Sequence, residues 1–319
     1  LAGVTSSQDV LAVAKDGSFY IATVGAVRKV GPVSASLEAG EFFLASEDGS
    51  EVYVFNSAGK HQRTLNALTG AARYSFTYDG NRRLVAVTDG DGNLTVVERN
   101  ASGEATAIVA PGGQRTALTV NADGFLSSAT NPAGNAVQLG YTGDSAPGLL
   151  TSFTDSKSTV HQFTYDADGR LVADFSPGEG TITLARTTTS EDAYEVEFKS
   201  AAGFTTVYGV EDLPNGETRR VRTEPSGAAT EVLVRTDGSE RIAHPDGTVV
   251  DVKRGPDPRF GMHAPVPTEV VITLPGRAPA VRTASRAATV ADPDDPMSLL
   301  AQTETVSVNG QIYTTTFDA

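Results

Sequence analysis

The sequence predicts an all-β protein whose strands pair as antiparallel hairpins repeating at a short, regular spacing. Three observations carry this. The 319 residues include 32 Gly and 16 Pro amid abundant Thr and Val, which favours strands and turns over helices. A stretch from Phe76 to Asn93, Phe-Thr-Tyr-Asp-Gly-Asn-Arg-Arg-Leu-Val-Ala-Val-Thr-Asp-Gly-Asp-Gly-Asn, returns as Phe163-Thr-Tyr-Asp-Ala-Asp-Gly-Arg-Leu-Val-Ala173. Between and beyond these copies, apolar anchors and Gly-containing turns keep a common beat.

Each copy reads as a strand, a tight turn and a second strand. Phe76 and Tyr78, like Phe163 and Tyr165, lie two residues apart and so share one face. The Asp that follows, Asp79 or Asp166, is placed to accept turn amides with its carboxylate, and Gly80 or Gly169 is expected to take positive φ. Arg83-Leu84 and Arg170-Leu171 then open the returning strand. We expect the paired Phe and Tyr rings to stack one unit on the next.

The anchors are Leu84, Ala105, Leu126, Leu150 and Leu171, separated by 21, 21, 24 and 21 residues. Three residues after the first four come Val87, Ile108, Ala129 and Phe153, and the turns that follow hold Gly92, Gly113 and Gly134. Pro225-Ser-Gly227 and Pro245-Asp-Gly247 continue the beat. A fixed short period marks an architecture in which each unit buries its apolar face by stacking on neighbours.

Tyr-Asp, a turn, Arg-Leu and then Val-Thr-Asp-x-x-Gly resembles the YD repeat of the rearrangement-hot-spot (RHS) proteins and the teneurins. Tyr78-Asp79 and Tyr165-Asp166 match best, while Tyr141-Thr142 lacks the Asp. The segment Leu44 to Thr64, followed by Leu68-Thr-Gly70, is similar to the teneurin region where an NHL-type propeller meets the YD shell; Val250 to Thr273 and Ala291 to Ala319 resemble bacterial RHS sequence. The resemblance implies a spiralling antiparallel sheet forming the wall of a hollow shell, which in several relatives encloses a C-terminal toxin. It implies a secreted or cell-surface setting, with the rest of the same polypeptide as partner and a cell-surface receptor or glycan as the alternative. Animal teneurin ectodomains carry cysteine and this chain has none, which tilts the resemblance toward a bacterial member.

In order along the chain, residues 1–70 have a different rhythm. Asp16-Gly-Ser-Phe-Tyr-Ile-Ala22 is echoed by Asp48-Gly-Ser-Glu-Val-Tyr-Val-Phe55, which reads as one or two propeller-like blades or as a β-lid. Residues 71–319 read as the repeat segment. From Thr181 to Lys253 the strands lengthen, punctuated by Asn215-Gly216, Asp237-Gly238 and Asp246-Gly247. The four prolines of 254–267 predict an irregular loop. Strands resume at Thr268 to Leu274 and Ala280 to Thr283, one helical turn is expected at Met297 to Gln302, and a last hairpin turns at Asn309-Gly310. The chain starts and stops within its pattern and shows no signal peptide at Leu1, so we expect a piece of something longer.

The net charge of −14, from 25 basic against 39 acidic residues, argues against nucleic acid or anionic membrane as partner. No apolar run approaches the length of a bilayer span. Without cysteine, disulfides, thiolate nucleophiles and thiolate zinc sites are excluded. His61, His161, His244 and His263 show no metal-ligand spacing; His263, beside Asp257 and Arg259, is the one worth locating. Asp89-Gly-Asp-Gly-Asn93 superficially suggests calcium, yet Leu94 and Asn100 stand where a calcium loop needs Gly and Glu, so a hairpin turn is expected. Asp292, Asp294 and Asp295 read the same way. No Gly-x-Ser-x-Gly elbow occurs, and the self-cleavage segment of RHS proteins is not found. The sequence thus predicts no catalytic, cofactor or metal residues. A structural scaffold leads, and a surface-binding module is the alternative.

Overall fold

The computed structural model describes residues 40–143 and 148–319, and the backbone of three earlier strands, Val10–Val13, Phe19–Thr23 and Ala26–Val30. Those three pair as an antiparallel meander, Val10 opposite Ala22 and Phe19 opposite Val30. The first Asp-Gly turn of the expected blades, Asp16-Gly17, lies outside the described residues. The described residues contain strands and turns and no helix. Contacts divide the chain into two compact units, one of Leu1–Ser75, Asp212–Arg219 and Glu231–Ala319, the other of Phe76–Glu211 and Arg220–Thr230.

The second unit is a run of consecutive antiparallel hairpins. Each sequence anchor is the first residue of its strand: Leu84–Asp89, Ala105–Val109, Leu126–Thr130, Leu150–Thr154 and Leu171–Ser176. One repeat is therefore one strand up and one strand down. The registers Val87↔Thr95, Ile108↔Val97, Leu118↔Ala129, Leu139↔Phe153 and Phe153↔His161 put Val87, Ile108, Ala129 and Phe153 on one face. On that face Leu171 breaks the pattern, because Asp174 stands three residues on, opposite Phe163. The longer strands Gly180–Ser190, Ala193–Lys199 and Thr205–Asp212 continue the pairing.

In the other unit, Phe42–Ala45, Glu51–Phe55 and His61–Asn66 pair in sequence, and His61–Asn66 goes on to pair with Ala72–Tyr78. Ala229–Val234, Glu240–Ala243, Val249–Asp257, Gly261–Thr273, Ala280–Val290, Leu299–Val308 and Gln311–Asp318 form another meander. The core of this unit joins the two runs. Val52 and Val54, both 0% exposed, pack with Leu65, Ala67, Phe260 and Ala264, flanked by Phe43, Ala45 and Met297. Burying each such side chain stabilises by roughly 1.5–3 kcal/mol.

Two expectations are corrected here. The proline segment is not an irregular loop. Pro256 lies next to the end of one strand, Pro258 in the turn, and Pro265 and Pro267 in the next strand, with register shifts between Lys253 and Arg254 and between Gly255 and Asp257. The second shift leaves Pro256 and Pro265 outside the ladder, where proline forfeits little pairing, while Pro267 stays opposite Arg254 beside the first. The helical turn at Met297 to Gln302 is also absent. Asp292 to Ser298 makes successive turns, Asp295 N–H to Asp292 O and Ser298 N–H to Asp295 O, both 3.0 Å. The chain then enters the strand Leu299–Val308 with Leu299 buried. Strand pairing with Ala280–Val290 overrides the weak local helical preference.

Candidate functional site

The residues singled out by the repeat meet at the hairpin turns. In the turn Asp166 to Arg170, Asp166 N–H donates to Arg170 O at 2.9 Å and Gly169 N–H donates to Asp166 O at 3.1 Å. This is a type I turn closed by a left-handed residue, a common three-residue hairpin loop. Asp166 Oδ1 accepts the Asp168 and Arg170 amides at 3.0 and 2.9 Å. Asp79 repeats this with the amides of Asn81 and Arg83, both at 2.9 Å, and its Oδ2 takes Arg83 Nε at 2.8 Å. The N–H groups four residues ahead, of Arg83 and Arg170, are the chief cause holding both carboxyls below the usual carboxylate range.

Gly169 takes φ 78°, as expected, but Gly80 does not have positive φ; Arg82 takes that place at φ 66°. The left-handed position is fourth in the turn, and Gly80 is second. Gly92 (φ 85°) and Gly134 (φ 82°) occupy the same fourth position in their turns.

The same side-chain staple recurs where the sequence reading passed over it. Asn121 Oδ1 accepts Asp123 and Phe125 amides, Asn131 those of Ala133 and Asn135, and Asp155 those of Lys157 and Thr159. Asp89, the superficial calcium candidate, accepts Asp91 and Asn93 amides on Oδ1 and Asn93 Nδ2 on Oδ2. For Asn121, Asn131 and Asp89 the available signal was Asp or Asn three residues before Gly; after Asp155 that place is held by Ser158. Asp292 and Asp295 likewise accept the amides of Asp294 and Met297.

Tyr165 and Tyr141 reach back to a carbonyl rather than stacking one unit on the next as expected. Tyr165 Oη donates to Leu150 O at 2.7 Å, and Tyr141 Oη to Leu126 O at 2.8 Å, each across fifteen residues. At the equivalent place after Leu84 stands Arg99, whose Nη2 donates to Leu84 O at 3.0 Å. The anchor thus supplies its carbonyl as well as its side chain. No stacked pair joins Phe163 to Tyr165; ring contacts between neighbouring strands include Phe125 on Tyr141 and Phe153 against His161. Tyr165 pairs with Leu171 beside a register shift that leaves Val172 of the partner strand outside the ladder. Tyr141, which lacks the Asp, still makes the tie.

Turns along one sheet edge also touch one another. A Cβ on Gly103 (φ 88°) would fall within the Arg83 guanidinium, one on Gly148 (φ 92°) against the Phe125 ring, and one on Gly169 against Leu149. Arg83, Phe125 and Leu149 each close one turn and cover the glycine of the next turn on that edge.

Of the remaining candidates, His161 lies on the strand Val160–Tyr165 and His263 on Gly261–Thr273. His61 sits between Phe55 and Tyr53, its Nε2 3.0 Å from Arg63 O, and burial holds its pKa below the ordinary value. Asp257, 2% exposed, accepts Arg259 and Phe260 amides at 2.8 and 3.1 Å and Arg286 Nη1 at 3.0 Å. Arg259 Nη1 donates to Ala67 O at 2.6 Å. This knot fastens the proline segment to the hairpins of the core. Among the described residues, no three His, Asp or Glu side chains converge as a metal site would require.

A chain of antiparallel hairpins with Tyr-Asp turns and reach-back tyrosines matches the model of the teneurin YD-shell over residues 39–319. The chain belongs to this family. Among YD-shell relatives, Teneurin-1 of Gallus gallus is 29% identical over 278 residues, 83% of this chain and 10% of its own length. Teneurin-3 of Danio rerio is 36% identical over 166 residues, 50% of this chain and 6% of its own. The chain thus spans about a tenth of the length of the teneurins it matches. A solved TcdB2-TccC3-TEV structure aligns over 95% of this chain and 18% of its own, at 10% identity and a TM-score of 0.39.

Proposed function

We propose that this YD-shell chain is a structural scaffold, a strip of wall that encloses or displays a C-terminal, toxin-like region of the same polypeptide. The observation that carries this is the use of the signature side chains. Asp79, Asp166, Arg83 and Tyr165 spend their polar atoms on their own hairpin or its neighbour, so the repeat builds wall and presents no reacting group. On this reading Phe76, Tyr78, Asp79, Arg83, Leu84, Gly92, Leu126, Gly134, Leu150, Phe163, Tyr165, Asp166, Gly169, Arg170 and Leu171 are structural, and the chain is not an enzyme. Residues 1–70 are a blade-like or lid-like lead-in, and 71–319 the wall proper. Its setting is secreted or at the cell surface, with no role for nucleic acid. No helix among the described residues is long and apolar enough to cross a membrane.

A second reading, surface adhesion to a receptor or glycan, draws on the exposure of Phe204 (64%), Ile312 (70%) and Tyr313 (58%). Limited proteolysis of the longer polypeptide separates the two. Enclosure expects the region beyond this chain to resist protease until the hairpins melt. Cleavage of that region at native temperature, with the hairpins intact, overturns enclosure.

A further inference from the structure

The two faces of the sheet differ in charge across the strands Gly180–Ser190, Ala193–Lys199 and Thr205–Asp212. The registers Arg186↔Val196, Thr188↔Tyr194, Val196↔Tyr208 and Phe198↔Thr206 place Leu184, Arg186, Tyr194, Val196, Phe198 and Tyr208 on one face. Gly209 lies against Val221, so Arg222 stands opposite Tyr208 on that same face. The other face carries Glu195, Glu197 and Lys199 and is solvated.

On the first face the arginines lie over the tyrosines. Arg186 Cζ is 4.0 Å from the Tyr194 ring centroid and Arg222 Cζ is 5.9 Å from that of Tyr208. Arg222 has one exposed ion pair, to Glu224 at 2.8 Å, which screening makes weak. Arg186 has no carboxylate partner among the described residues. Asp174, on this face opposite Ile182, is four residues of strand from Arg186, about 13 Å. In a chain of net charge −14, two ring-backed guanidiniums over an apolar floor form a local basic patch.

We infer that this face docks an acidic polypeptide segment, whose carboxylates take the guanidinium forks while its apolar groups lie on Val196 and Phe198. A guanidinium lying over a ring keeps its N–H donors in its own plane, pointing outward and free for a carboxylate. The same stacking covers the face of Tyr194 on which a sugar would lie, which favours peptide over glycan. The inference rests on the scaffold reading and states the chemistry of what the wall holds.

Fluorescence anisotropy of the 319-residue protein with a labelled Glu/Gly peptide tests it, against a Lys/Gly peptide and a neutral oligosaccharide. The acidic peptide binds, and R186Q and R222Q each weaken it about tenfold, the loss of one charge-assisted pair. R115Q, on the opposite face and paired with Glu98, leaves binding unchanged. R186K keeps the charge but loses the planar fork, and falls between. Absence of acidic-peptide binding, equal loss in R115Q, or preference for the oligosaccharide overturns the inference. Both arginines are exposed, so thermal melts of R186Q and R222Q should match the parent. Protease protection is indifferent to the occupant's charge, so failure here leaves the enclosure test standing.

Discussion

The hydroxyl of Tyr165 donates to the carbonyl of Leu150 at 2.7 Å, tying the end of one strand to the start of its neighbour. Tyr165→Phe should remove the donor alone and cost about 1 kcal/mol. Tyr165→Ala removes the half-buried ring as well, and should cost more, toward the roughly 3 kcal/mol of an aromatic truncation. Tyr141→Phe should match Tyr165→Phe. Thermal melts decide, and equal melting temperatures for Tyr165→Phe and the parent would show that the tie carries no stability.

Backbone handedness gives a second outcome of opposite sign. Ser158 is exposed and holds φ 66° at the turn position where Gly169 holds φ 78°. Ser158→Gly should stabilise by up to about 1 kcal/mol, since a left-handed L-residue costs roughly 1–2 kcal/mol and added unfolded-state entropy takes part of that back. Gly169→Ala should destabilise by about 1 kcal/mol or more. Denaturant midpoints of the pair read both signs.

Gly103→Ala should be worse than Gly169→Ala. It meets the same φ problem, and its methyl displaces Arg83 from between Asp79 and the Ser102 carbonyl. Combining Gly103→Ala with Arg83→Ala should recover part of the loss. Strict additivity in that double-mutant cycle would mean the two turns are not coupled.

Acid should loosen the turns. Asp79, Asp89, Asp155 and Asp166 all have folded pKa values below the ordinary carboxylate, held there by turn N–H and side-chain donors. A depressed folded pKa contributes stability that is present above the unfolded value and lost as pH falls through the folded one. Asp48, lowered from 3.8 to about 2 chiefly by the Ser46 hydroxyl, marks the window. Melting temperature should therefore fall between about pH 4 and pH 2. Asp166→Asn keeps the acceptor, as Asn121 and Asn131 do, so it should melt near the parent at pH 7 and lose less on acidification. Asp166→Ala should cost about 1 kcal/mol at pH 7. A parent and Asp166→Asn variant that lose stability equally with acid would remove this carboxylate from the account.

The buried pair makes the largest single prediction. Arg286→Ala leaves Asp257, 2% exposed, with only backbone donors, and should destabilise by about 3–5 kcal/mol. Asp257→Ala should also destabilise but by less, because the Arg259 and Phe260 amides lose their acceptor while Arg286 keeps Glu304, 3.5 Å from its Nη2. The chain has no Trp to report the change, so far-UV circular dichroism melts should read it.

The sequence by itself determined the hairpin period, because periodicity two and the Asp-x-x-Gly turn are local rules. The five anchors open five strands, and Asn309-Gly310, at φ 48° and 89°, turns the last hairpin. It also determined that Asp79 and Asp166 accept turn amides, since that bond spans at most four residues. What needed the tertiary structure was every contact between distant parts of the chain. Arg259 reaches the Ala67 carbonyl across 192 residues, and Phe260 enters a core with Val52 and Val54. Four prolines within fourteen residues read locally as a loop, yet Pro256, Pro265 and Pro267 lie in paired strands and only Pro258 lies in the turn between them. The tyrosine rings read as a ladder because two of them share one strand face with a Phe. Tyr165 instead reaches the Leu150 carbonyl fifteen residues back, beside a register shift at Val172 of the partner strand, and neither the acceptor nor the shift is written in the residues around Tyr165.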